Sequence, residues 1–109
     1  MADIISIDDF KKLEIRVGEI RSVEKVADAD KLLKLVVNFG DHDRQVLSAI
    51  AEYLPDPQTL VGKRYPFVTN LAPRTIRGLE SQAMILAAGG GEEPLYLFES
   101  NAPAGTVAK

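Results

Sequence analysis

The chain has no cysteine, a single histidine and no apolar run long enough to span a bilayer. The first absence excludes disulfides and thiolate metal sites outright, and it fits a reducing, cytoplasmic setting. The opening Met1-Ala2-Asp3-Ile4-Ile5-Ser6 has neither a basic segment nor a long apolar one, so it does not read as a secretion signal. His42 lies between Asp41 and Asp43 in an expected hairpin turn. Three ligands from one tight turn suit zinc badly, so His42 is expected as a solvated turn residue and no metal site is expected. No G-x-S-x-G occurs. Gly89-Gly90-Gly91 is followed by Glu92-Glu93-Pro94 where a phosphate-binding loop needs Lys-Ser or Lys-Thr and a helix. The acidic pairs Asp8-Asp9 and Asp28/Asp30 read as caps and solvated loops. A non-catalytic module without cofactor is expected.

What is present suits one compact domain: 109 residues, 46% hydrophobic and 27% charged. The net charge of −3 argues, as a total, against a polyanionic partner. Its distribution argues otherwise. Residues 60–88 carry Lys63, Arg64, Arg74 and Arg77 against the single acid Glu80, while the first 30 residues carry a surplus of acid. Screening confines each field to about 8–10 Å at physiological salt, so a basic stretch can meet phosphate inside an acidic protein.

Hydrophobic alternation places the strands. Ser6 or Asp8 can cap one helical turn over Ser6–Lys12. Leu13, Ile15 and Val17 alternate with Glu14 and Arg16, and the alternation changes parity after Gly18-Glu19, which predicts a bulge or sharp bend. After a loop at Ala27-Asp28-Ala29-Asp30, Leu33, Leu35, Val37 and Phe39 form a second strand, Gly40–Asp43 a turn, and Arg44–Ile50 a third strand. Pro55 and Pro57 allow only short helical turns between Ala51 and Gly62. Tyr65–Thr69 is a fourth strand, with Pro66 pointing to an edge, Leu71–Ser81 a long loop, Gln82–Ala88 a fifth strand and Leu95–Phe98 a sixth. Five strands with a helix between the third and fourth is the order of an all-β OB-fold, a five-stranded Greek-key barrel. The expected division is a helical turn over residues 1–12, the barrel over 13–88 and a C-terminal extension over 89–109. Leu95, Tyr96, Leu97 and Phe98 make the sixth strand apolar on both faces, which predicts a second partner surface and hence a homodimer.

Four phrases stand out: Asp9-Phe10 with Ile15-Arg16-Val17-Gly18, Ala29-Asp30-Lys31-Leu32, Leu60-Val61-Gly62-Lys63, and Asn70-Leu71-Ala72-Pro73-Arg74-Thr75-Ile76-Arg77-Gly78-Leu79-Glu80-Ser81-Gln82-Ala83-Met84. In this order they resemble the tRNA-binding domain at the C-terminus of bacterial methionyl-tRNA synthetase and its free-standing relatives, from about Phe10 to the end of the chain. Tyr53-Leu54-Pro55-Asp56-Pro57-Gln58 points to the methionyl branch. The resemblance implies an OB-fold that binds the outside of the tRNA elbow by shape, raises a synthetase's affinity for tRNA, and dimerises through its C-terminal extension. Where the family pattern has Gly before the methionine this chain has Ala83, and where the loop before Asp30-Lys31 begins with Asn it has Asp28. The expected partners are therefore tRNA and the catalytic part of methionyl-tRNA synthetase, with no membrane involved. The short leader before the first strand favours a separate polypeptide. The alternative from the same family is an export-associated, peptide-binding chaperone.

The residues support an RNA contact independently of the resemblance. OB-folds bind nucleic acid across strands 2 and 3 and their flanking loops. Lys31 and Lys34 straddle the start of strand 2, and Arg44 opens strand 3. Arg74 and Arg77 lie in the expected long loop and suit bidentate phosphate contact. Asn70 and Ser81 can hydrogen-bond ribose or phosphate, and Met84 offers a flexible apolar contact. These eight are the expected tRNA-binding residues.

Overall fold

A computed structural model describes residues 2–109. After helix α1 (Ile7–Phe10), capped by Ser6 Oγ accepting from the Asp9 N–H at 3.1 Å, the chain is built from strands. They are β1 (Ile15–Val26), β2 (Ala29–Asn38), β3 (Asp43–Ser48), β4 (Arg64–Val68), β5 (Arg74–Ile76), β6 (Leu79–Ser81), β7 (Met84–Ile85), β8 (Ala87–Gly89), β9 (Leu95–Leu97) and β10 (Val107–Ala108). The segment expected as a short helix between β3 and β4 holds two 3-10 turns, Ala51–Tyr53 and Pro57–Leu60, the second started by Asp56 and Pro57.

The main sheet runs β3-β2-β1-β4-β7, all antiparallel, with β10 added to β1. One long strand makes this possible. Residues 15–19 of β1 pair with β4, residues 19–26 pair with β2, and the register slips between Ile20 and Ser22. The parity change seen in the sequence has a different cause from a simple bend. Gly18 faces the core, where a Cβ would stand 2.7 Å from Phe39 Cε1 and closer still to Val37 Cγ1. Val17 points the other way and is buried on the outer side of β1, near Pro66 and Phe98. The slip at Arg21 then brings both Ile20 and Val23 inward. The core joins them to Leu33, Leu35, Val37, Phe39, Val46, Leu60, Tyr65, Phe67 and Ile85, with Phe39 and Phe67 edge to face at 5.5 Å.

Two strand expectations need correction. The expected loop Leu71–Ser81 contains a hairpin, β5–β6, paired Arg74↔Ser81 through Ile76↔Leu79. The expected continuous strand Gln82–Ala88 breaks at Leu86. The Leu86 N–H reaches Pro66 O at 3.1 Å, but proline has no N–H to return the bond, so the β4·β7 ladder ends there and the chain leaves to pair β8 with β9.

The residues after β6 link the two edges of the curled sheet into an OB-like barrel. On the β3 side, Gln82 N–H donates to Gln45 O at 2.8 Å, and Gln45 N–H donates to Gln82 Oε1 at 2.9 Å. On the other side, Ile85 and Met84 pair with Phe67 and Val68 of β4. The tail crosses the outer face of the sheet. It is pinned by Gly105 N–H to Val17 O (2.7 Å), Val17 N–H to Thr106 O (2.9 Å) and Arg16 Nη1 to Gly105 O (3.0 Å).

Candidate nucleic-acid interface

Two hairpins far apart in sequence meet at one end of the barrel. The first joins β1 to β2 through the two-residue turn Ala27-Asp28, with Asp28 at φ +60, a left-handed conformation that aspartate tolerates. The register between Val26↔Ala29 and Lys25↔Leu33 leaves Asp30, Lys31 and Leu32 without partners on β1. This outward bulge presents Lys31 to solvent, while Lys34, one step into the regular ladder, lies opposite Glu24 and pairs with it at 3.2 Å.

The second hairpin, β5–β6, turns at Arg77-Gly78 with φ +54 and +78. Two consecutive positive φ values are the signature of a type I′ turn, which matches the right-handed twist of the strands. Glycine suits the second position. Arginine at the first costs about 1 kcal/mol of backbone strain, and in return its side chain stands at the tip. That tip lies beside the first hairpin. Arg77 shares one depression of about 320 Å3 with Asp28, Asp30 and Lys31, and another of about 370 Å3 with Glu24, Lys25 and Lys34. Lys25 was not anticipated as part of this cluster; the extension of β1 to Val26 is what brings it there. Arg74, further along the same hairpin, is exposed and lies beside Leu71, Ala72, Ser81, Ala83 and Met84 around a smaller cavity. Among the described residues no ion pair engages Lys31, Arg74 or Arg77.

Three of the expected contact residues have other occupations. Arg44 Nη1 donates to Thr69 O (2.6 Å) and Gln82 O (3.3 Å), its Nε donates to His42 Nε2 (3.1 Å), and its guanidinium lies 5.7 Å from the centre of the Phe39 ring. His42 is exposed at the β2–β3 turn; its Nδ1 is 2.6 Å from Asp41 Oδ1, and this hydrogen bond holds the Asp41 carboxyl below its ordinary range. The Asn70 amide accepts from Glu14 N–H at 2.8 Å and donates to Lys12 O at 2.6 Å, fastening the N-terminal segment to the end of β4. Glu14 itself is held below its ordinary range, first by Arg16 and then by the Thr69 hydroxyl. Ser81 is buried; its Oγ accepts from Leu47 N–H at 3.0 Å and donates to Ala83 O at 3.1 Å. The partners of Arg44, Asn70 and Ser81 lie up to 58 residues away in sequence, so no local pattern could have found them.

A curled OB-like sheet carrying two neighbouring hairpins that expose Lys31, Arg74 and Arg77 defines a nucleic-acid-binding module. The family model described as "Putative tRNA binding domain" matches residues 15–107. The chain is 47% identical over 108 residues to methionine–tRNA ligase of Deinococcus radiodurans and 43% identical over 105 residues to that of Methanococcus aeolicus. These alignments cover 97% and 96% of this chain and 16% of each relative, so the chain spans about a sixth of the length of the curated relatives it matches. A solved MetRS-related protein from Pyrococcus horikoshii superposes with a TM-score of 0.92 at 34% identity, covering 99% of this chain and 100% of that one. A solved CsaA chaperone protein from Picrophilus torridus superposes at 0.86 and 28% identity, covering 97% and 100%. The chain belongs to the tRNA-binding domain family.

Truncating Ser81 tests its structural assignment. Ser81→Ala leaves the buried Leu47 N–H without an acceptor, so it should lower the unfolding free energy by about 1–3 kcal/mol in urea titrations without RNA. An unchanged midpoint would mean the hydroxyl does not hold the segment.

Proposed function

We propose that this domain grips the phosphate backbone of folded tRNA with Lys31, Lys34, Arg74 and Arg77, and that Arg44, Asn70 and Ser81 hold the scaffold that positions them. The observation that carries the reading is that Arg77 and Lys31 line one depression in a chain belonging to a family of tRNA-binding domains. The cluster carries almost as many acids as bases, which suits a module that adds moderate affinity to a larger machine. The likeness to methionine–tRNA ligases supports a role as an accessory part or partner of that enzyme in the cytoplasm, with the aminoacylation chemistry performed elsewhere. Phosphate contacts carry no sequence information, so Lys31→Ala and Arg74→Ala should weaken binding by similar factors across tRNA species. Each lost contact should flatten the dependence of log K on log salt by about 0.7–0.9. Glu99→Ala, in the tail, should leave affinity unchanged. Wild-type affinity and salt slope in Arg74→Ala would remove the hairpin from the interface, and discrimination between tRNA species would show that bases are read.

The outer face of the barrel supports a homodimer. Leu95 and Leu97 pack toward the core, whereas Tyr96 and Phe98 are exposed. Ile7, Phe10, Leu13, Ile15 and Val107 line an adjoining hollow of about 330 Å3. Apolar surface of this kind suits a two-fold contact between copies. Sedimentation at micromolar concentration should show a dimer, and Phe10→Asp should shift it to monomer; a wild-type monomer would contradict the pairing. The same apolar face and the likeness to the Picrophilus torridus protein favour, as a second reading, a peptide-binding chaperone. Tight binding of an apolar peptide with no binding of tRNA would establish that reading instead.

A further inference from the structure

The cavity beside Arg74 differs from the two depressions at the hairpin tips. It has a volume of about 150 Å3 and is lined by Leu71, Ala72, Arg74, Ser81, Ala83 and Met84. Ser81 and Ala83 are buried and form its floor, while Leu71 and Met84 are exposed and form its walls. Both hydrogen bonds of the Ser81 hydroxyl run to the protein's own backbone, so the floor makes no strong polar demand on an occupant. The volume lies well below the roughly 300–1,000 Å3 of sites for larger organic ligands and suits a single flat ring system.

We propose that this cavity receives one unstacked nucleobase of the tRNA, with Arg74 on a phosphate beside it. The proposal rests on the tRNA-binding reading and deepens it. Three features favour a base over an apolar peptide side chain. The mouth carries a cation that is exposed and outside every ion pair formed among the described residues. Arg77 and, across the hairpin junction, Lys31 place further cations beyond that mouth, interleaved with Glu80, Asp28 and Asp30, so phosphates can be held at separate points while one base turns inward. The Met84 thioether is polarizable and conforms to any aromatic face. A base in a continuous duplex cannot enter, so the cavity selects RNA with an unpaired, extrudable nucleotide and rejects plain helix.

The test fills the cavity without altering charge. Wild type, Ala72→Phe and Arg74→Ala are titrated with a transcribed tRNA and with a blunt RNA duplex of equal length and no bulge. Ala72 is exposed, so the bulkier ring should fold; circular dichroism checks this, and Met84→Gln, which keeps the volume but removes the thioether, is the second variant. Ala72→Phe should weaken tRNA binding by about ten-fold, as expected for a lost base contact, with an unchanged salt slope. It should leave the weaker duplex binding as it was, and Met84→Gln should act in the same direction by a smaller factor. Arg74→Ala should flatten the salt slope for both RNAs. Equal losses for tRNA and duplex, or no loss for either, would overturn the base pocket while leaving the tRNA reading intact. Absence of tRNA binding by wild type would overturn the tRNA reading itself. A fluorescent phenylalanine-containing peptide that binds wild type and is lost in Ala72→Phe, with tRNA affinity unchanged, would give the cavity to a peptide and end the proposal.

Discussion

The arrangement of the β5–β6 end of the barrel depends on how the segment after β6 is tied to β3. Ser81 Oγ, the paired Gln45 and Gln82, and the Arg44 guanidinium spend their hydrogen bonds on backbone groups across the barrel opening. Each bond is worth only about 1 kcal/mol net, but an unpaired buried group would cost more, so the segment has one satisfied position. The β5–β6 hairpin grows from that position. Its three paired residues could not hold Arg74 and Arg77 in place alone, because an isolated two-stranded hairpin is marginal in water. These internal ties thus fix the hairpin in place before any ligand arrives, which lowers the ordering cost of binding.

The same economy explains how an acidic protein takes an anionic partner. Acid in the first 30 residues is partly internal to the fold: Glu14 serves Arg16 and Thr69, Glu19 pairs with Arg21, and Glu24 pairs with Lys34. Arg74, Arg77 and Lys31 lie outside these pairings and share one end of the molecule. Apolar surface is gathered on the outer side of β1, around α1 and the tail.

Much of the fold was legible because it rests on short-range pattern. Leu33, Leu35, Val37 and Phe39 are buried as their alternation requires, and Lys34 points outward. The break at Gly18 was visible, although its cause, a glycine facing the core with Val17 buried on the other side, needed the position of Phe39 and Phe67. The β5–β6 hairpin was hidden because arginine is an unusual first residue for a type I′ turn, and Pro73 beside it reads as loop. The split at Leu86 depended on Pro66 lying directly across from it, which only the register reveals. For the site, residue chemistry separated poorly from role. Arg44 and Arg74 look alike in sequence, yet one is spent on carbonyls of its own chain and the other faces solvent.

The central claim is that the two hairpins are the RNA surface and the outer face is not. A titration of 15N-labelled protein with tRNA, followed by amide chemical shifts at low tRNA ratios, tests it most directly. The account predicts that the largest shifts and line broadening fall within residues 25–34 and 71–84, with the amides of 4–15 and 98–108 little changed. Perturbation concentrated on α1, Val17 and the tail, with Lys31 and Arg77 unmoved, would contradict it.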